Sequence, residues 1–127
     1  MSPWTKPRPL FDERGRHLTP NGIEAYGPGI YELSVMRRGR GRKRYVSVYL
    51  GRTVELNRRL YEHSHQDTDI WEAIDKAWES GFQIYYSVLP CKTESQAVKR
   101  EREYLRDYWY LYPLNVIGNP LKTARSA

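Results

Sequence analysis

Two alternating runs bracket a block of positive charge, and this pattern leaves the chain little freedom over residues 29–50. In the first run Ile30, Leu33 and Val35 stand among Tyr31, Glu32 and Ser34, directly after Gly29. The second, Tyr45 to Leu50, reads Tyr-Val-Ser-Val-Tyr-Leu. β-Branched and aromatic residues in such alternation suit a pleated, half-buried surface. Between the runs lie Arg37, Arg38, Gly39, Arg40, Gly41, Arg42, Lys43 and Arg44, six basic side chains in eight residues. The three segments read as an antiparallel β-hairpin with a cationic tip.

Helical spacing takes over downstream. Thr53 is the expected N-cap of a helix carrying Leu56, Leu60 and His63, and Thr68 or Asp69 the cap of the next. Ile70, Ile74, Ala77 and Trp78 predict a helix of about ten residues that closes at Gly81. Phe82, Ile84, Tyr86 and Val88 alternate as a third strand. Thr93 then caps a long helix whose broad apolar face carries Ala97, Val98, Tyr104, Leu105, Tyr108, Leu111 and Tyr112, and Pro113 stops it. The order ββααβα predicts an α+β fold: a three-stranded, mostly antiparallel sheet packed on about three helices, one layer on another. Residues 1–28, rich in Pro, Gly and charge, read as an irregular arm laid over the domain by Trp4 and Phe11. The domain itself spans 29–120, and 121–127 form a polar tail.

A chain of 127 residues suffices for one such domain and its core. Lys and Arg number 21 against 15 Asp and Glu, a net charge of +6, which favours a polyanionic partner such as nucleic acid. The same charge would also serve an anionic membrane surface or plain solubility. A lone Cys91 excludes an internal disulfide, and with only His17, His63 and His65 beside it no zinc cluster can be assembled. That cysteine usage fits a reducing cytoplasm, and Cys91, after Pro90 at a strand end, reads as packing. Pro3, Pro7 and Pro9 break any signal-peptide core, and no stretch reaches the roughly 20 apolar residues of a membrane span.

Several polar residues fall where packing alone does not ask for them. Tyr31 and Tyr49 lie on adjacent antiparallel strands and can share a face, although strand tyrosines also serve simply as core aromatics. Arg59 and His63, four apart, share a helix face beside Leu56 and Leu60. Glu101 sits amid the apolar face of the last helix, three after Val98 and three before Tyr104, so its carboxylate needs a cation. Glu103 points instead to the charged side, with Arg100, Arg106 and Asp107.

At this point the chain resembles a family. Gly29-Ile30-Tyr31 and Tyr49-Leu50-Gly51 resemble the paired motifs of the GIY-YIG nucleases, with Leu50 where the second motif has Ile. The likeness runs from 29 to about 117. Arg59 follows Tyr49 by ten residues, His63 stands one turn later, a glutamate lies on the last helix, and Pro113-Leu114-Asn115 resembles the closing proline and asparagine. Glu101 follows Ala97 by four, as the family's glutamate does, whereas Glu103 keeps the usual gap of twelve to the asparagine. The hairpin between the motifs is longer and more basic than the family's.

The resemblance implies a metal-dependent endonuclease that hydrolyses DNA phosphodiester bonds, with Tyr31, Tyr49, Arg59, His63, Glu101 and Asn115 as its catalytic set. One Mg²⁺ (or Mn²⁺) would be held by Glu101, waters and a phosphate oxygen. Arg59 would clamp the phosphate and offset charge in the transition state. Tyr31, or His63 if neutral, would take the proton of the attacking water, with Tyr49 orienting water or phosphate. Asn115 would hydrogen-bond across the site and hold the chain end near the sheet, or serve as a helix cap. Arg37, Arg38, Arg40, Arg42, Lys43 and Arg44 at the hairpin tip, and Arg52 after the second motif, would contact DNA phosphates in a salt-dependent manner. No membrane partner is expected. Cutting both strands with one site per chain would take a homodimer or two visits. A restriction-type, phage or mobile-element role fits a small stand-alone member. The competing readings are a non-catalytic nucleic-acid-binding module on the same fold and a protein-interaction domain for an acidic partner.

Overall fold

The computed structural model describes residues 3–15, 22–38, 44–65 and 68–117. Their elements are β1 (Arg8–Pro9), β2 (Gly29–Arg37), β3 (Val46–Thr53), α1 (Leu56–His65), α2 (Trp71–Glu79), β4 (Phe82–Pro90) and α3 (Glu94–Tyr108). A 3₁₀ turn (Trp109–Leu111) and α4 (Pro113–Ile117) follow. The class is α+β, with a four-stranded antiparallel sheet in the order β1-β4-β2-β3. The expected three strands are present but incomplete as a sheet. The fourth, β1, comes from the segment read as irregular, and Arg8 and Pro9 pair with Tyr86 and Tyr85. A strand of two residues, preceded by Pro7 and ending in Pro9, forms a short edge, which blunts further pairing.

The sheet is covered on both faces, not on one. Alternation along β2 sends Tyr31 and Leu33 into one cluster with Leu56 and Leu60 of α1 and Ile74 of α2. Ile30 goes to the opposite face, where it meets Leu50, Ala97 of α3 and Tyr112. Leu10 and Phe11 are fully buried in the first cluster, joined by Ile23 and Ala25. Trp4 reaches the second face and donates its indole N–H to the Tyr104 hydroxyl at 3.0 Å. Residues before β2 therefore complete both cores.

Local chemistry departs from expectation at three helix ends. Thr53 lies within β3; Glu55 caps α1, its carboxylate accepting from the Asn57 N–H at 3.3 Å and from Gly27 N–H at 3.0 Å. Neither Thr68 nor Asp69 caps α2, whose N-cap position is Ile70 without a side-chain bond. Both are used elsewhere, as shown below. Pro113 does not merely stop a helix. It opens α4, where its missing N–H would have had no partner. The long helix ends at Tyr108, so Tyr108 and Leu111, expected on its buried face, are instead exposed. The remaining ends follow the sequence: Thr93 accepts from Gln96 N–H at 3.1 Å, and Gly81 takes φ +94 after α2. Among the described residues no helix is long and apolar enough to cross a membrane.

Because Phe11 has no exposed surface, truncation to Ala should destabilise the protein by about 3–5 kcal/mol in urea unfolding. A cost below about 1 kcal/mol would mean that the segment before β2 is an ornament rather than core.

Candidate active site at the free edge of the sheet

Strand β3 is an edge strand, and groups from both faces of the sheet meet along it. In the register of the hairpin, Tyr31 pairs with Gly51 and Leu33 with Tyr49, so the two tyrosines are diagonal neighbours on one face. Their ring centroids lie 6.1 Å apart. The Tyr31 ring lies over Gly51: a Cβ at 51 would come within 2.2 Å of Tyr31 Cζ and 2.3 Å of its hydroxyl. Only glycine leaves that space. The Tyr31 ring is thereby free to lie across the edge strand.

The imidazole of His63 packs against both tyrosines, at 5.5 and 5.9 Å between centroids. Its Nε2 is 2.7 Å from the Tyr31 hydroxyl and its Nδ1 2.9 Å from Thr68 Oγ1. Burial, with the charge of Arg59 second, pushes the His63 pKa down to about 3, so the ring is neutral near pH 7. Burial also raises the pKa of Tyr31, with the neighbouring Tyr49 adding to it and Arg59 pulling back. Tyr49 is raised as well, first by burial and then by Asp69. The resting site thus holds two neutral tyrosines and a neutral imidazole.

Arg59 supplies positive charge on the same face. It pairs with Glu62 at 3.4 Å and with Asp69 at 3.6 Å. Across the edge, Arg52 pairs with Glu101 at 3.4 Å and with Glu94 at 3.8 Å. Between these pairs opens a polar pocket of about 270 Å³. Tyr31, Tyr49, Arg59 and Asp69 line it from one face, and Glu101 with Leu105 from the other. Gly51 and Arg52 line it from the strand itself, and Asn115 closes one end. The Asn115 amide accepts from Leu50 N–H at 2.8 Å and donates to Leu50 C=O at 2.7 Å. It pairs with the outer edge of β3 as a neighbouring strand would, neither capping a helix nor standing free in the pocket.

Glu101 is not sealed against the sheet. Its side chain keeps 23% of its surface exposed, and the cation it was expected to need is present as Arg52. Glu103 lies outside the pocket and pairs with Arg100 at 3.8 Å. Among the described residues no group of three or more His, Cys, Asp or Glu side chains converges to cage a metal. A polar pocket with two carboxylates, Glu101 and Asp69, each already facing an arginine, suits a Mg²⁺ or Mn²⁺ ion that keeps most of its waters and takes further oxygens from a phosphate. It does not suit a structural zinc or calcium cage.

Arg37, where the basic run begins, is set apart from this pocket. Six residues separate Tyr31 from Arg37, about 20 Å of strand. Arg37 lies over Phe82 at 5.4 Å. Arg38 stacks on Trp78 at 3.9 Å and donates to its carbonyl at 2.6 Å, so it ties the hairpin to the end of α2. Arg44 is exposed, and Arg40, Arg42 and Lys43 lie outside the described residues. A second groove, apolar and about 320 Å³, runs between the sheet and α2 beside Leu33, Ile74 and Leu114, with Lys76 the one titratable residue among the described residues that line it.

Sequence reasoning missed Asp69 and Thr68 as site residues. Both had been read as caps, and the turn before α2 instead delivers one to Arg59 and the other to His63. It also missed Glu32, which faces α3 and is bonded by Tyr112 Oη at 2.8 Å and by Ser47 Oγ. No protein-family model matches the chain, nor does any curated protein or solved structure.

The folded-state pKa of His63 lies below the ordinary 6.5, so the unfolded chain binds that proton first. The stability that the neutral ring contributes is complete above pH 6.5 and is lost as pH falls towards 3. Between those limits the wild type should lose up to about 1.4 kcal/mol per pH unit from this group. His63→Gln should unfold with a slope smaller by one proton, read from denaturant midpoints against pH. Parallel slopes would mean that the ring is not held neutral.

Proposed function

We propose that the chain is a metal-dependent endonuclease of the GIY-YIG type, hydrolysing phosphodiester bonds of DNA in the pocket at the β3 edge. The observation that carries this reading is the convergence of Tyr31, Tyr49, Arg59 and Glu101 on one polar pocket from four elements and both faces of the sheet. Each is a position where the sequence resembles the family's motifs. Packing does not require four such groups to share a wall.

The chemistry divides among these residues. Arg59, charged at all working pH values, clamps a non-bridging phosphate oxygen and offsets charge that grows in the transition state. Its pairs with Glu62 and Asp69, at 3.4 and 3.6 Å, exceed the 2.7–2.9 Å of a tight charge-assisted bond, so phosphate can displace them. Glu101, with waters, would hold a divalent ion, which would supply Lewis-acid polarisation of the phosphate and a counter-charge for the leaving oxygen. With raised pKa values neither tyrosine is an anion at rest, and buried His63 does not meet solvent. Base catalysis therefore falls to the pair. Tyr31 takes the water's proton as it passes its own to His63 Nε2, in the tautomer whose Nδ1–H donates to Thr68. Phosphate charge beside Arg59 offsets one of the two effects that hold His63 neutral. Tyr49 donates to water or phosphate, and Asn115 keeps Leu50 and the strand in place.

Plasmid nicking and linearisation, with Mg²⁺ or with EDTA, tests the reading. Wild type should cut with metal alone. Arg59→Ala and Glu101→Ala should each lose about 10²-fold or more while still binding DNA, whereas Glu103→Ala should cut normally. Binding at low salt without cutting of plasmid or single strands would replace the nuclease with a non-catalytic nucleic-acid-binding module.

A further inference from the structure

Arg52 occupies an ambiguous position. It belongs to the strand that lines the pocket, yet its guanidinium is shared between Glu101 and Glu94 on α3 rather than committed to either. Both separations, 3.4 and 3.8 Å, are beyond a tight ion pair, and 39% of the side chain is exposed. An arrangement meant to fasten α3 to β3 would be shorter and drier. Glu101 is also the pocket carboxylate on the α3 side. A guanidinium against Glu101 and a divalent ion on the same carboxylate exclude each other by charge.

We propose that Arg52 is a resident counter-ion for Glu101, which a divalent cation displaces and which then turns into the pocket as a second phosphate-binding arginine opposite Arg59. The inference rests on the metal-dependent phosphodiester reading for the identity of its anion. Its physical content is an exchange: Arg52 neutralises Glu101 while the pocket is empty of cation, so the carboxylate is never left bare. Cation binding at Glu101 releases the guanidinium, and a phosphodiester entering the pocket collects both arginines and the cation together. Metal and phosphate binding are therefore coupled through one side chain. Glu94 is the second holder, and sharing with it loosens the hold of Arg52 on Glu101.

Mn²⁺ binding to the full chain without nucleic acid, followed by the loss of the free-ion EPR signal, tests the exchange. Removing a charge within about 5 Å of a divalent ion should tighten Mn²⁺ binding roughly fivefold in Arg52→Gln. Arg52→Lys should stay near wild type. Glu94→Gln should weaken Mn²⁺ by leaving Arg52 to Glu101 alone, and Glu101→Gln should abolish the site. Anisotropy of an uncleavable phosphorothioate duplex gives the second half. Arg52→Gln should weaken duplex binding several-fold with Mn²⁺ present and leave it unchanged in EDTA, where Arg52 is held by Glu101. Unchanged or weaker Mn²⁺ binding in Arg52→Gln, Mn²⁺ binding that ignores Glu101→Gln, or an equal duplex penalty in EDTA would each overturn the exchange. If the exchange pattern is observed but no nucleic acid is cut, the nuclease reading falls and the exchange stands.

Discussion

Tyr31 puts a large aromatic ring and a hydroxyl into the interior with 1% of its surface exposed, and a hydroxyl there must find partners. Two residues make this possible. Gly51, opposite it on β3, removes the side chain that would stand 2.2 Å from the ring. His63, one helix away, receives the hydroxyl at 2.7 Å. Once those contacts are made, much else is fixed. The hairpin register is set, because a shift of one residue would put Leu50 or Arg52 under the ring. The position of α1 is set, because His63 has to reach inward beside Leu60. The turn before α2 is set through Thr68, which holds the other ring nitrogen. A buried network of this kind is stabilising only when all its members are satisfied, and here both ring nitrogens of His63 are bonded, one to Tyr31 and the other to Thr68.

Electrostatically the pocket is built of two arginines, each loosely shared between two carboxylates. Arg59 serves one face and Arg52 the other. Half-exposed pairs at such distances add little to stability, about 0–1 kcal/mol each. Their consequence is for binding. Two uncompensated guanidinium groups on one pocket would repel each other, whereas two tightly locked pairs would refuse an anion. Loose sharing avoids both: under the proposed function an incoming phosphate would replace one carboxylate partner of an arginine and leave the second in place. The buried groups follow a different rule: burial keeps Tyr31 and His63 neutral, so the charge of the site lies at its rim and the proton-handling groups lie beneath it.

The strands and helices were legible because their signals are periodic and local. Alternation located β2, β3 and β4, and helical spacing located α1, α2 and α3, with Thr93 and Gly81 marking ends correctly. What escaped was non-local. Arg8 and Pro9 carry no alternation, and their place in the sheet follows from the burial of Leu10 and Phe11 beside them, a tertiary fact. Coverage of both faces was visible in principle, because Ile30 and Leu50 are apolar on the side that Tyr31 and Tyr49 do not occupy. The partners of Arg59 and His63 could not be read from Thr68 and Asp69, since Ser, Thr and Asp before a helix look like caps whichever bonds they make. Among the site residues, helical spacing separated Glu101 from Glu103, and only Glu101 lines the pocket. The same spacing could not show that Glu101 meets Arg52, because that contact crosses from β3 to α3.

The location of the pocket has a topological cause. In the middle of a sheet the strands themselves separate what projects from one face and from the other. At an edge that barrier ends, and groups from α1 and α3 can address the same small volume. An open edge also carries unpaired N–H and C=O groups that invite another strand. Asn115 resolves the conflict by spending one side-chain amide on both free groups of Leu50, as a strand would, without the bulk of a strand. The chain wraps round the edge to deliver it, Tyr112 packing on the second face and Leu114 on the first. The edge is thus closed against pairing at Leu50 and left without a side chain at Gly51, where the Tyr31 ring takes up the space and Tyr31 lines the pocket. A single strand serves as structural boundary at one residue and as pocket wall at the next.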